Sequence, residues 1–73
     1  MKYIKINIDK AIEIGINPVG HFKKGDSIIL NQNEVLNNPH LEGNLDSRVK
    51  ALGAKIYTQQ YIKRMIKKEN YGI

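Results

Sequence analysis

Three times along this chain an apolar, strand-forming run ends on a residue suited to cap a helix: Ile8-Asp9, Leu30-Asn31 and Tyr57-Thr58. An apolar residue follows each cap at the third or fourth position, Ile12, Val35 and Ile62, where a first helical turn meets a core. Repeated strand-to-helix units place helices against a sheet. The intervals between the strands are long enough for crossover connections, which allow parallel pairs. The expected fold class is therefore α+β, a small mixed α/β domain. It has a three- to four-stranded sheet, two to four short helices on one face, and a C-terminal amphipathic helix packed on the sheet.

Local patterns supply the elements. Tyr3-Ile4-Lys5-Ile6-Asn7-Ile8 alternates, with the isoleucines on one face, as a half-buried strand does. Asp9 is the expected cap of a helix from Lys10 to Ile14, with Ala11, Ile12 and Ile16 inward and Gly15 as its stop. His21-Phe22 and Ser27-Ile28-Ile29-Leu30 flank Lys23-Lys24-Gly25-Asp26, a lysine-rich turn that predicts a hairpin. Asn31 and Glu34 have the spacing of a capping box for a helix through Leu36, which Asn38-Pro39 stops. Asn44 caps a further helix to Leu52, with Leu45, Val49 and Leu52 as its stripe and Asp46 spaced to pair with Lys50. Gly53 closes that helix. Ala54 to Tyr57 is a short strand, and Thr58 caps the last helix, expected to run to about Glu69.

With 73 residues the chain holds one core, and residues 1–73 are expected to form a single compact domain with a frayed tail at 70–73. There is no cysteine, so neither a disulfide nor a thiolate zinc site staples the fold. Apolar packing alone carries the stability, about 3–5 kcal/mol for a core of this size, and self-association or a protein partner is a natural supplement. Met1 begins directly on the alternating segment, and no apolar run is of signal-peptide or bilayer-spanning kind. The expectation is no membrane, and a cytoplasmic location or one within a particle assembled in the cytoplasm.

Charge gives the sharpest candidate surface. On the last helix Tyr61, Ile62, Met65 and Ile66 share one arc, and Lys63, Arg64, Lys67 and Lys68 share the opposite one. Four cations on one face suit phosphates, and Lys23 and Lys24 in the turn extend the set, with Lys2 and Lys5 as further additions. Against this, a helix buried on one side must be polar on the other, and lysine suits the C-terminal end of a helix dipole. The net charge of +5 comes mostly from lysine in a chain also rich in Asn and Ile, residues that share AT-rich codons. No helix-turn-helix, zinc finger or run of strand aromatics accompanies the charge, and Tyr57 and Tyr61 read as core or rim residues.

Nothing in the sequence assembles into catalysis. Ser27 and Ser47 lack a patterned base, and Asp9, Asp26 and Asp46 read as cap, turn and first-turn residues. His21 and His40 have no second ligand at metal spacing and read as surface loop histidines. The glycines form no phosphate cradle. The sequence therefore leads to a chain with no catalytic residues, metal or cofactor: a protein-interaction module, an accessory subunit of an assembly of the phage or mobile-element type. The alternative is a small basic protein that binds nucleic acid through its C-terminal helix.

Overall fold

The computed structural model describes the backbone of residues 1–71 and the side chains of residues 1–67. In chain order the elements are β1 (Tyr3–Asn7), α1 (Ile8–Glu13), β2 (Lys23–Lys24), β3 (Ser27–Asn31), α2 (Gln32–Leu36), α3 (Leu45–Ala51), β4 (Lys55–Tyr57) and α4 (Gln59–Tyr71). The fold is α+β, as its alternating and capped segments imply. α4 continues past Glu69 to Tyr71, and the rest of the expected tail, Gly72 and Ile73, lies outside the described residues.

The sheet order is β2-β3-β1-β4, and every neighbouring pair is antiparallel. The parallel pairs allowed by the spacing do not form, for a topological reason. β1 and β2 point the same way, but β3 lies between them; β3 and β4 point the same way, but β1 lies between them. Each crossover skips a strand, giving the split β-α-β connectivity of ferredoxin-like sheets.

Strand alternation divides the side chains between two faces. On one, Ile4, Ile6, Ile28 and Leu30 form the main core with Ala11 and Ile14 of the α1 segment, Val35 of α2, and Val49 and Leu52 at α3. On the other, Ile29 packs with Ile62 and Met65 of α4, bordered by Tyr3, Phe22, Tyr57 and Ile66. The expectation of helices on one face is thus corrected, because both faces of the sheet carry apolar residues that need cover. α1, α2 and α3 cover one side of the sheet and α4 covers part of the other. Three consecutive buried residues in β3, Ile28-Ile29-Leu30, are the local mark of a strand covered on both sides.

Capping accounts for most element boundaries. The Asn31–Glu34 capping box forms with both of its hydrogen bonds, Asn44 caps α3 through Ser47 N–H at 2.9 Å, and Thr58 Oγ1 accepts from Tyr61 N–H at 3.2 Å. The exception is α1, which is capped by Asn7 rather than Asp9: Asn7 Oδ1 accepts the Asp9 N–H at 2.9 Å. The helix consequently begins a residue pair earlier, Ile8, Ala11 and Ile14 turn inward, and Ile12 is left 56% exposed. Asp9 occupies the first turn instead, where a carboxylate suits the helix dipole. The Asp46–Lys50 pair is not among the ion pairs of the described residues.

Candidate nucleic-acid interface

The register of the sheet determines which polar residues share the α4 side. Directly paired residues of antiparallel strands project to the same face. Tyr3 is opposite Tyr57 and Lys5 is opposite Lys55; Asn7 is opposite Ser27 and Lys5 is opposite Ile29; Ser27 is opposite Lys24. Lys5, Asn7, Lys24, Ser27 and Lys55 therefore stand on the same face as the apolar residues under α4. Apolar contacts hold α4 to the Tyr3, Phe22, Ile29 and Tyr57 end of that face, and the polar end remains open.

Two depressions mark the open part. One, about 250 Å³, is lined by Lys5, Asn7, Ser27, Gly53, Ala54, Lys55 and Tyr57. The other, about 260 Å³, lies between the hairpin and α4 and is lined by Lys24, Tyr61, Arg64 and Met65. Tyr57 of the first and Tyr61 of the second are stacked, with ring centroids 4.8 Å apart and planes within 12°. The tyrosine pair thus joins the two basic depressions. Tyr61 is 52% exposed, a departure from the inward position its helical arc suggests. Tyr57, packed against the α4 cluster, supports it from beneath.

The expected basic residues divide. Lys63, Arg64 and Lys67 are exposed on α4, and the side chain of Lys68 lies outside those described. Lys24 is brought to Arg64 and Tyr61. Lys23 is not: it pairs with Ile28, a residue of the main core, and so projects to the opposite face of the hairpin. Lys5 and Lys55 were the residues least legible beforehand as one group, because their adjacency follows from pairing positions fifty residues apart in the chain. The alternation that puts Lys5 on the Tyr3 face, and Lys55 on the Tyr57 face, was the available signal.

The side opposite α4 carries charges of both signs, its cations including Lys10 on α1 and Arg48 and Lys50 on α3. The described carboxylates Asp9 and Glu13 on α1, Glu34 on α2, Glu42 in the following loop and Asp46 on α3 all belong to the helical layer opposite α4. Asp26 occupies the β2–β3 turn. On the α4 side the charged side chains of the strands and helix that have been described are Lys5, Lys24, Lys55, Lys63, Arg64 and Lys67.

The histidines take no part in this surface. His21 is half-buried, with Nε2 2.6 Å from Glu34 Oε1, so it is a tertiary contact to α2 rather than a free loop residue. His40 is exposed beside Gly15. Among the described residues no three potential ligands gather as a metal site, and no helix is long and apolar enough to cross a membrane. Comparison with protein-family models, with curated proteins and with solved structures finds no match to this chain.

Proposed function

We propose that this chain is a non-catalytic module that binds single-stranded nucleic acid on the α4 side of its sheet. The observation that carries the reading is the exposed, supported ring of Tyr61, set between Lys24 and Arg64 on one side and, through Tyr57, Lys5 and Lys55 on the other. Single strands are held by this combination: cations follow the phosphates, and an aromatic face stacks an unpaired base without regard to its identity. A duplex keeps its bases stacked inward and leaves Tyr61 without a partner, which favours a single strand. RNA-recognition modules likewise stack bases on the aromatics of a four-stranded sheet; this is an analogy of architecture, and here the stacking residue belongs to the helix laid across the sheet.

The test is a fluorescence-anisotropy titration of the full chain with a twelve-nucleotide single-stranded RNA and with duplex DNA, at low and near-physiological salt. The variant Lys63→Gln/Arg64→Gln/Lys67→Gln serves as comparison. Binding to the single strand that weakens steeply with salt, and is lost in the variant, supports the reading. Absence of binding at low salt overturns it.

A second reading, an accessory subunit that docks on another protein, is favoured by Val19 and Ile12, which are 75% and 56% exposed on the α1 segment and the loop after it. That reading predicts self-association or partner capture abolished by Ile12→Ser/Val19→Ser and unaffected by the α4 charge variant.

A further inference from the structure

Lys5 and Lys55 are directly opposite each other on adjacent strands. Like charges in that position repel and destabilise a sheet, and a compact fold ordinarily separates them or places a carboxylate between them. Neither lysine forms an ion pair among the described residues. The remaining side chains that bring polar atoms to their depression are Asn7, Ser27 and, through its phenolic hydroxyl, Tyr57; none of them carries a negative charge. Asn7 Oδ1 is occupied by the Asp9 N–H, so its free group is the Nδ2 donor. The Ser27 hydroxyl has no hydrogen-bond partner among the described residues. The nearby carboxylates Asp9 and Asp26 line a different depression, which shares only Asn7 with this one.

We infer that the depression framed by Lys5, Lys55, Asn7 and Ser27 is a phosphate subsite that seats one backbone phosphate of the bound strand. The inference rests on the nucleic-acid reading for the source of that phosphate, and on the register for the site itself. Two ammonium groups, an amide N–H and a hydroxyl present donors to one volume, and a phosphate supplies the acceptor oxygens and the negative charge that the paired lysines lack. Because a backbone phosphate is identical at every nucleotide, such a seat sets the position of the strand relative to Tyr61 without reading its sequence.

The experiment measures thermal unfolding of the full chain in increasing inorganic phosphate, with chloride adjusted to hold ionic strength constant. It is run on the wild type, Lys55→Gln, Lys5→Gln and Ser27→Ala, alongside RNA anisotropy on the same proteins. The expected result is a rise in the wild-type midpoint with phosphate, as for any ligand that binds only the folded state. That rise should be absent in Lys55→Gln and Lys5→Gln and reduced in Ser27→Ala. In phosphate-free buffer Lys55→Gln should unfold at a higher temperature than wild type, because the repulsion is gone. For RNA, the log-log salt slope should fall by no more than about 0.7 in either lysine variant, since the two lysines share one phosphate.

A midpoint unaffected by phosphate, or raised equally in the lysine variants, overturns the subsite. RNA binding that is unchanged in both lysine variants also overturns it, while leaving the nucleic-acid reading intact. Phosphate stabilisation lost in the variants, in a wild type that binds no RNA, supports the subsite with free phosphate as its ligand and removes the nucleic-acid reading.

Discussion

The side-chain amide of Asn38 donates to the main-chain carbonyl of Ile14 across 3.0 Å, joining the loop after α2 to the C-terminal end of α1. Asn38 is 8% exposed, the buried polar residue among the described core positions, and its Oδ1 accepts the His40 N–H at 2.8 Å. Both ends of the amide are therefore used. Asn38→Leu leaves a carbonyl and an N–H without partners and should lower stability by about 1–3 kcal/mol, measured by urea unfolding. Asn38→Asp keeps the acceptor and loses the donor, so it should also destabilise; a neutral effect of both changes would show that water replaces the amide.

Arg48 extends the same joint from α3. Its Nε donates to the Gly43 carbonyl at 2.7 Å, and Nη1 donates to the carbonyls of Val35 at 3.0 Å and Asn38 at 3.2 Å. A planar, forked group is required to reach these acceptors together. Arg48→Lys should therefore recover little of the loss caused by Arg48→Ala, about 1–3 kcal/mol. Because Arg48 holds the main-chain carbonyl of Asn38 while the Asn38 side chain fixes the same loop, the two changes are coupled through that backbone and the double variant should lose less than the sum of the single losses. Denaturant midpoints of the wild type, Arg48→Lys, Arg48→Ala, Asn38→Leu and the Arg48→Ala/Asn38→Leu double variant decide both points.

Tyr61 separates binding from stability. Half-exposed and outside the buried cluster formed by Ile29, Ile62 and Met65, it can be truncated with a small stability change. Loss of one stacked base corresponds to about 1–3 kcal/mol of affinity. Tyr61→Ala should weaken single-strand binding by roughly 5- to 150-fold at an unchanged salt slope, whereas Tyr61→Phe should retain it. Equal affinities for the alanine variant and the wild type would remove the stacking role.

Gly25 tests the hairpin. Its φ is +59° while Asp26 has no positive φ, the pattern of a two-residue turn with glycine at the first central position. A Cβ at Gly25 would meet nothing within 4 Å, so the whole penalty of Gly25→Ala is backbone strain, about 1–3 kcal/mol. Gly25→Asn should cost less, since asparagine is among the residues favoured after glycine at the positive-φ positions of such hairpin turns. If thermal unfolding shows the two variants equally destabilised, the turn has changed type.

What the sequence disclosed followed from local physics. The Asn31–Glu34 box, the Asn44 and Thr58 caps and the alternation of β1 each depend on residues a few positions apart, and each is present in the fold. Asn7 displaced Asp9 as the cap of α1 because both are good capping residues and tertiary contacts decide between them; the Ile8 N–H donates to the Asp26 carbonyl at 2.8 Å, which anchors the helix start against the hairpin. Strand order was not legible, since capping and alternation say nothing of which strand is inserted between which. The candidate surface was half legible for the same reason. Helical periodicity placed Lys63, Arg64 and Lys67 together, whereas Lys5, Lys55 and the separation of Lys23 from Lys24 depend on long-range register.

The position of β1 also dictates the order in which the molecule can be completed. β1 is synthesised first, yet it sits between β3 and β4, and its pairing with Tyr57 spans most of the chain. Loop closure over that distance opposes pairing until the later contacts compensate. A nascent chain that has made β3 but not β4 holds Tyr3, Ile4 and Lys5 as an open edge with unpaired backbone groups, the state in which strands capture the wrong neighbour. The fold is thus closed by its last strand, and premature termination before Tyr57 yields an adhesive fragment rather than a smaller version of the domain.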